Sequence, residues 1–240
     1  MRFRLIASGL LSLAFLSAAS PKEDFVLLDQ GVAANQNFAV LGTLTLDGAG
    51  NVAGVEVFRS LNLSMTADLI GTYVMSSVNS GTLTLNAVNQ DTTDGTTIVQ
   101  NYRFLVDGNG EMQAIRTDSA VFSTSSIVPS QAAPAKGTMA LNELDRNSAQ
   151  LAQLALDGNG AVAGTTVWFN VAGSVNGTLT GSYTAPAKGL GTLTLNVAAV
   201  DASGTDQSSV QTYRTASTRN GVKAIRLDPG VVAIANLELQ

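Results

Sequence analysis

The chain is written twice. A residue and the one 110 places later match repeatedly, as from Leu44 to Leu154. Leu44, Leu46, Asp47, Gly48 and Gly50 recur as Leu154, Leu156, Asp157, Gly158 and Gly160, and Val52-Ala53-Gly54 recurs as Val162-Ala163-Gly164. Gly71 and Tyr73 become Gly181 and Tyr183, and the run Gly81 to Asn86 returns unchanged as Gly191 to Asn196. Ala114-Ile115-Arg116 with Asp118 returns as Ala224-Ile225-Arg226 with Asp228, whereas Tyr102-Arg103 matches Tyr213-Arg214 one place later, so one insertion lies between. A repeat of this length is a folding unit with its own core, which sets the architecture before any element is assigned. Between the copies, Pro129 and Pro134 stand among small residues and read as a linker. The expected units are 22–128 and 136–240, joined by 129–135.

Each copy reads as strands. Only five Glu and four Lys are available to cover exposed helix faces. Alternation is plain: in Gly191-Thr192-Leu193-Thr194-Leu195 the leucines share one face and the threonines the other, and Leu179 and Tyr183 alternate with Thr180, Ser182 and Thr184. Period-2 patterning turns the leucines and tyrosine inward and the hydroxyls toward water. Asp47-Gly48, Asp107-Gly108, Asp157-Gly158 and Asn220-Gly221 supply the positive φ that hairpin turns require. In copy one, strands are expected near 24–29, 38–46, 51–59, 69–76, 81–89, 96–106, 111–118 and 120–127. Eight strands with no helix to cover a sheet must dispose of their edges, and closure does so completely. The expected fold is all-β, two tandem antiparallel eight-stranded up-and-down β-barrels, with β-sandwiches as the alternative.

Composition narrows the chemistry. With no cysteine and no histidine, disulfides, thiolate nucleophiles, Ser-His-Asp triads and His metal ligands are excluded. Met1-Arg2-Phe3-Arg4 is basic, Leu5 to Leu16 is apolar, and Ser17-Ala18-Ala19-Ser20 offers small residues for a peptidase. This has the tripartite form of a secretory signal peptide over residues 1–20. The apolar run is shorter than the roughly 20 residues of a spanning helix, so no membrane span is expected after cleavage. The expected location is exported, periplasmic or extracellular. Removing Arg2 and Arg4 takes the net charge from −5 to −7, and the scattered positive charges argue against nucleic acid.

Strand count, strand length and hairpin order in both copies resemble the calycin group of small lipocalin-like and avidin-like barrels. The Gly-x-Trp of a lipocalin first strand is absent, and the single tryptophan, Trp168, falls on the third expected strand of copy two. The resemblance implies that Arg116 and Arg226 stand where such barrels place a closing arginine. The copies also look like tandem repeats of exported bacterial proteins.

The candidate site residues are Tyr73, Arg116, Tyr183 and Arg226. Arg116 with Asp118, and Arg226 with Asp228, either form a charged hook inside the barrel or an ion pair at its rim or outer face. Ile225 and Leu227 make the opposite side apolar, which favours the rim or outer face. Tyr73 and Tyr183 each follow an inward glycine that leaves room for the ring, so they belong to the core and become ligand donors only in a hollow barrel. The Asp-Gly-x-Gly loops supply one carboxylate each, too few for calcium. Asp91 with Asp94, and Asp201 with Asp206, are the only acid pairs that hydrolysis could use, and their polar surroundings offer nothing to separate two pKa values. Aromatic girdles of an outer-membrane barrel are missing.

A non-catalytic protein without cofactors is therefore expected. The expected function is binding a small apolar molecule inside a barrel; the alternative is a structural or adhesive surface protein with filled barrels, its partner a cell-surface polysaccharide. Interior volume separates them. Cavities below roughly 300 Å³ in both barrels leave no room for a drug-sized ligand and put the structural function first.

Overall fold

Alternating residues become sixteen strands among the residues that the structure, a computed structural model, describes: 22–92, 95–132, 134, 136–170, 173–184 and 189–240. The signal peptide expected over residues 1–20 lies outside them. The first barrel holds β1 (Lys22–Ala33), β2 (Gln36–Asp47), β3 (Asn51–Ser60), β4 (Ser64–Ser77), β5 (Ser80–Asn89), β6 (Thr97–Val106), β7 (Met112–Arg116) and β8 (Val121–Pro129). The second holds β9 (Lys136–Leu144), β10 (Ser148–Asp157), β11 (Ala161–Asn170), β12 (Gly173–Thr184), β13 (Gly191–Val200), β14 (Ser209–Thr218), β15 (Gly221–Arg226) and β16 (Ile234–Leu239). Within each barrel every consecutive pair is antiparallel, and each barrel closes between its first and last strands: β1 on β8 from Phe25↔Pro129 to Ala33↔Val121, β16 on β9 from Ile234↔Leu144 to Leu239↔Met139. The fold is all-β and closed, with no sheet edge of the sandwich kind. The inserted residue falls in the connection between β13 and β14.

Inward parity follows the alternation. Leu83, Leu85, Leu193, Leu195, Tyr73 and Tyr183 are buried, while Thr82, Thr180, Ser182 and Thr184 face out. Gly71 and Gly181 have a different role from the one expected, and Gly54 and Gly164 share it. A Cβ on Gly71 would lie 2.0 Å from the carbonyl oxygen of Thr84 on the neighbouring strand, and one on Gly54 would lie 1.9 Å from that of Thr43. Gly181 and Gly164 repeat this against Thr194 and Gln153. The space beside Tyr73 and Tyr183 is thus taken by the adjacent backbone rather than by the ring. These glycines let the strands coil tightly enough to close.

The Asp-Gly turns are carboxylate-capped. Asp47 Oδ1 accepts from the amides of Ala49 and Asn51, and Asp107 and Asp157 repeat the pattern at Asn109 and Glu111 and at Asn159 and Ala161. Gly48 and Gly50 take φ values of 80° and 99° to permit it. Asp201 caps its own loop through Ser203 and Thr205, and Asp91 accepts from the amide of Thr66. These aspartates are turn devices; Asp94 lies outside the described residues.

The barrels are docked side by side. Val26, Ala39, Leu41 and Val57, on the outer side of β1–β3, form one buried cluster with Ala216 of β14 and Ile225 of β15. At one end, Arg59 donates to the carbonyls of Asp228 (2.6 Å) and Val231 (3.3 Å). At the other, Arg219 pairs with Glu111 (2.9 Å) and donates to the carbonyl of Asn109. Linker residue Gln131 donates its amide to the Ser217 carbonyl. Because the β6–β7 turn meets the equivalent β14–β15 turn, like ends of the barrels point the same way. The end where Lys22 and Lys136 begin their strands is called lower here, the opposite end upper.

Candidate functional site

The interior of barrel 1 is apolar below and polar above. Asp29 shares the inward face of β1 with Phe25 and Leu27, and Glu56 shares that of β3 with Val52. β6 brings Gln100 and Tyr102 to the same level, and β7 brings Arg116. The Tyr102 hydroxyl lies 3.2 Å from Asp29 Oδ2 and 3.0 Å from Gln100 Oε1. Ser125 donates to Asp29 Oδ1 at 2.9 Å, and Gln100 Nε2 donates to Glu56 Oε1 at 2.7 Å. Arg116 Nε donates to Asp118 Oδ2, and its Nη1 stands 3.9 Å from Asp29. The guanidinium also lies 6.0 Å from the ring centres of Phe38 and Tyr102, and Phe38 stacks on Phe58.

Barrel 2 repeats this plug with substitutions. Tyr213 donates to Glu143, and Gln211 donates to Gln150, which in turn donates to Thr166. Arg226 bridges Glu143 at 3.0 Å and Asp228 at 2.5 Å. Glu143 occupies the place of Asp29, since their partners across the ladder, Gln150 and Val40, are repeat equivalents. Thr166 replaces Glu56, so barrel 1 carries the additional buried acid.

Arg116 and Arg226 therefore point inward, which corrects the preference for a rim or outer-face pair. The apolar side opposite them is real, but Ile225 is covered by the neighbouring barrel, and Leu227 packs against the same cluster. Tyr73 and Tyr183 sit lower, away from the plug, so each barrel separates its two candidate residues into different levels. Pattern reading missed Asp29, Glu56 and Glu143. Their signal was a charge on the apolar parity of a strand.

Electrostatics follow from burial. Burial pushes Asp29 up, against the bonds from its hydroxyl neighbours and the charge of Arg116. Burial likewise raises Glu143, with Arg226 opposing. Asp118 is also desolvated, yet hydrogen bonds from Arg116 and Asn101 outweigh this and hold it low. Glu56 is pushed up to about 7 by burial, and its Oε2 has no hydrogen-bond partner among the described residues. The fold thus prefers protonated Glu56. Its contribution is complete below the ordinary value of 4.5, declines as pH rises toward 7, and is then lost. The decline amounts to about 3 kcal/mol at 1.36 kcal/mol per unit. Urea unfolding at acidic and mildly alkaline pH checks this: Glu56→Gln keeps the bond to Gln100 and should flatten most of the slope.

Below the plug, barrel 1 encloses about 180 Å³ that opens between the lower turns. Its walls are apolar, with Phe25, Leu83, Phe104 and Met112 prominent, Tyr73 on one side and Glu23 at the rim. At that level barrel 2 has Thr215 and Ser217 where barrel 1 has Phe104 and Val106. Neither Asp29 nor Glu56 lines the space, and both are fully buried. Among the described residues, no group of three acids is placed to hold a metal ion. No protein-family model matches the chain, and no curated protein matches it.

Proposed function

We propose that this chain is an exported, non-catalytic structural or adhesive protein of the calycin-like kind, in which two filled barrels act as one rigid module. One observation carries the reading: the cavity of barrel 1, about 180 Å³, is well below the roughly 300 Å³ that a drug-sized ligand needs, and in barrel 2 the plug of Glu143, Gln150, Tyr213 and Arg226 fills the upper level. The closing arginines Arg116 and Arg226 support the calycin-like part. Burial of Asp29 and Glu56, the two acids that converge, supports the absence of catalysis, since water and substrate have no path to them. Outward threonines and serines suit a hydroxylated partner such as a cell-surface polysaccharide.

A second reading keeps a small apolar ligand in barrel 1 alone. The same cavity favours it, because an apolar hole of about 150 Å³ holds benzene. One titration separates the two, using a long-chain fatty acid, an environment-sensitive apolar dye and a benzene-sized aromatic. Fatty acid and dye should show no saturable binding, because a long chain would have to displace a salt-bridged plug. Saturable uptake of either overturns the structural reading. Saturable uptake of the small aromatic alone transfers the function to the second.

A further inference from the structure

The contact between the barrels joins unlike faces. Barrel 1 uses the outer side of β1–β3, and barrel 2 uses β14 and β15. As copies, each also carries the face that its twin uses, and both of those faces are uncovered. On barrel 1, Leu105, Ile115 and Phe122 occupy the places of Ala216, Ile225 and Val232, and are 66%, 54% and 79% exposed. On barrel 2, Leu151 and Phe169 occupy the places of Leu41 and Arg59, and are 53% and 48% exposed. A shallow groove crosses each face, one passing Leu105 and Ile115, the other Leu151 and Val167.

We propose that these faces bind a second copy of the chain: the β10–β11 face of one molecule docks on the β6–β7 face of the next and repeats the internal contact head to tail. This rests on the structural reading and gives the module its partner. Continuity with the existing interface is the first support. The second is where the aromatics fall. Arg59 reaches the carbonyls of Asp228 and Val231, beside Val232. Its counterpart Phe169 would meet the corresponding stretch of the next molecule, which ends at Phe122. Two phenylalanines exposed to water would thereby cover one another.

The external contact is weaker than the internal one. Asn142 stands in the place of Leu28 and Thr124 in that of Ile234, and no linker tethers the partners. A heterologous contact of this kind does not end at two copies, so it builds rings or open chains.

Sedimentation velocity of the purified chain over rising concentration tests it. The mass should climb from monomer through dimer and beyond. Phe122→Asp and Phe169→Asp should each remain monomeric with unchanged melting, and Leu105→Asp is the second variant for the first face. An equimolar mixture of Phe122→Asp and Phe169→Asp should form a dimer and stop there, because each variant keeps the face that the other lost. Persistence of the monomer in the unaltered chain at millimolar concentration overturns the inference. So does a mixture that stays monomeric, or assembly that survives both substitutions. None of these results touches the structural reading, which stands or falls on the ligand titration.

Discussion

Arg226→Met should destabilise the protein by about 3–5 kcal/mol, the range for removing one partner of a buried ion pair. Arg226 is the only cation within reach of Glu143 among the described residues, with Nη1 3.0 Å from Oε1, and it also holds Asp228. Removing it leaves a carboxylate in a site where Tyr213 is the remaining donor. Burial already raises the Glu143 carboxyl, so the orphaned group will take up a proton. The loss should therefore be largest above neutral pH and shrink in acid. Adding Glu143→Gln should recover most of it, since the defect is the unpaired charge rather than the missing volume. Urea unfolding of the single and double variants checks both parts. A loss below about 1 kcal/mol for the single variant would mean that the plug is not held by this pair.

Gly71→Ala should cost about 4 kcal/mol or more, a large share of the 5–15 kcal/mol that holds a typical domain together. A Cβ at this position meets the Thr84 carbonyl oxygen at 2.0 Å and the Leu85 Cα at 3.1 Å, and backbone on a paired strand cannot rotate away as a side chain can. Relief requires β4 and β5 to separate, which breaks their ladder and opens the barrel. Gly108→Ala is the control: in this turn Gly110 rather than Gly108 takes the positive φ expected of the Asp-Gly pair, nothing lies within 4 Å of the new methyl, and the change should stay within about 0.5 kcal/mol. Thermal melting of the two variants side by side decides it. Equal melting would show that closure does not depend on strand approach at Gly71.

Particular residues show how far the amino-acid order could be followed. The alternation of Leu83 and Leu85 with Thr82 and Thr84 was enough to orient β5, because burial on one face and water on the other impose period 2. Asp47-Gly48 marked a real turn, although its carboxylate cap depends on backbone geometry that composition does not reveal. Arg226 was harder. Ile225 and Leu227 looked like a core face, and only the docked neighbour shows that an outward side can be apolar too. Asp29 and Glu143 escape the repeat because the first strands of the copies align at a spacing of 114, as from Asp29 to Glu143, and Glu56 escapes it because its equivalent is Thr166. At Gly71 the tyrosine two places along the chain suggests room left for a ring, but the group that takes the space is the Thr84 carbonyl.

Closure of each barrel between its first and last strands has a mechanical consequence. Antiparallel partners β1 and β8 begin and end at the same rim, Lys22 near Pro129, and β9 and β16 do likewise. Tension applied through the polypeptide ends would peel such a seam one rung at a time, which resists far less force than shearing all rungs together. Load carried flank to flank, between the β6–β8 and β1–β3 faces, crosses the same seam sideways and pulls on all its rungs at once. An array built from these modules would be strong along its own axis while each unit could still be unzipped from its ends.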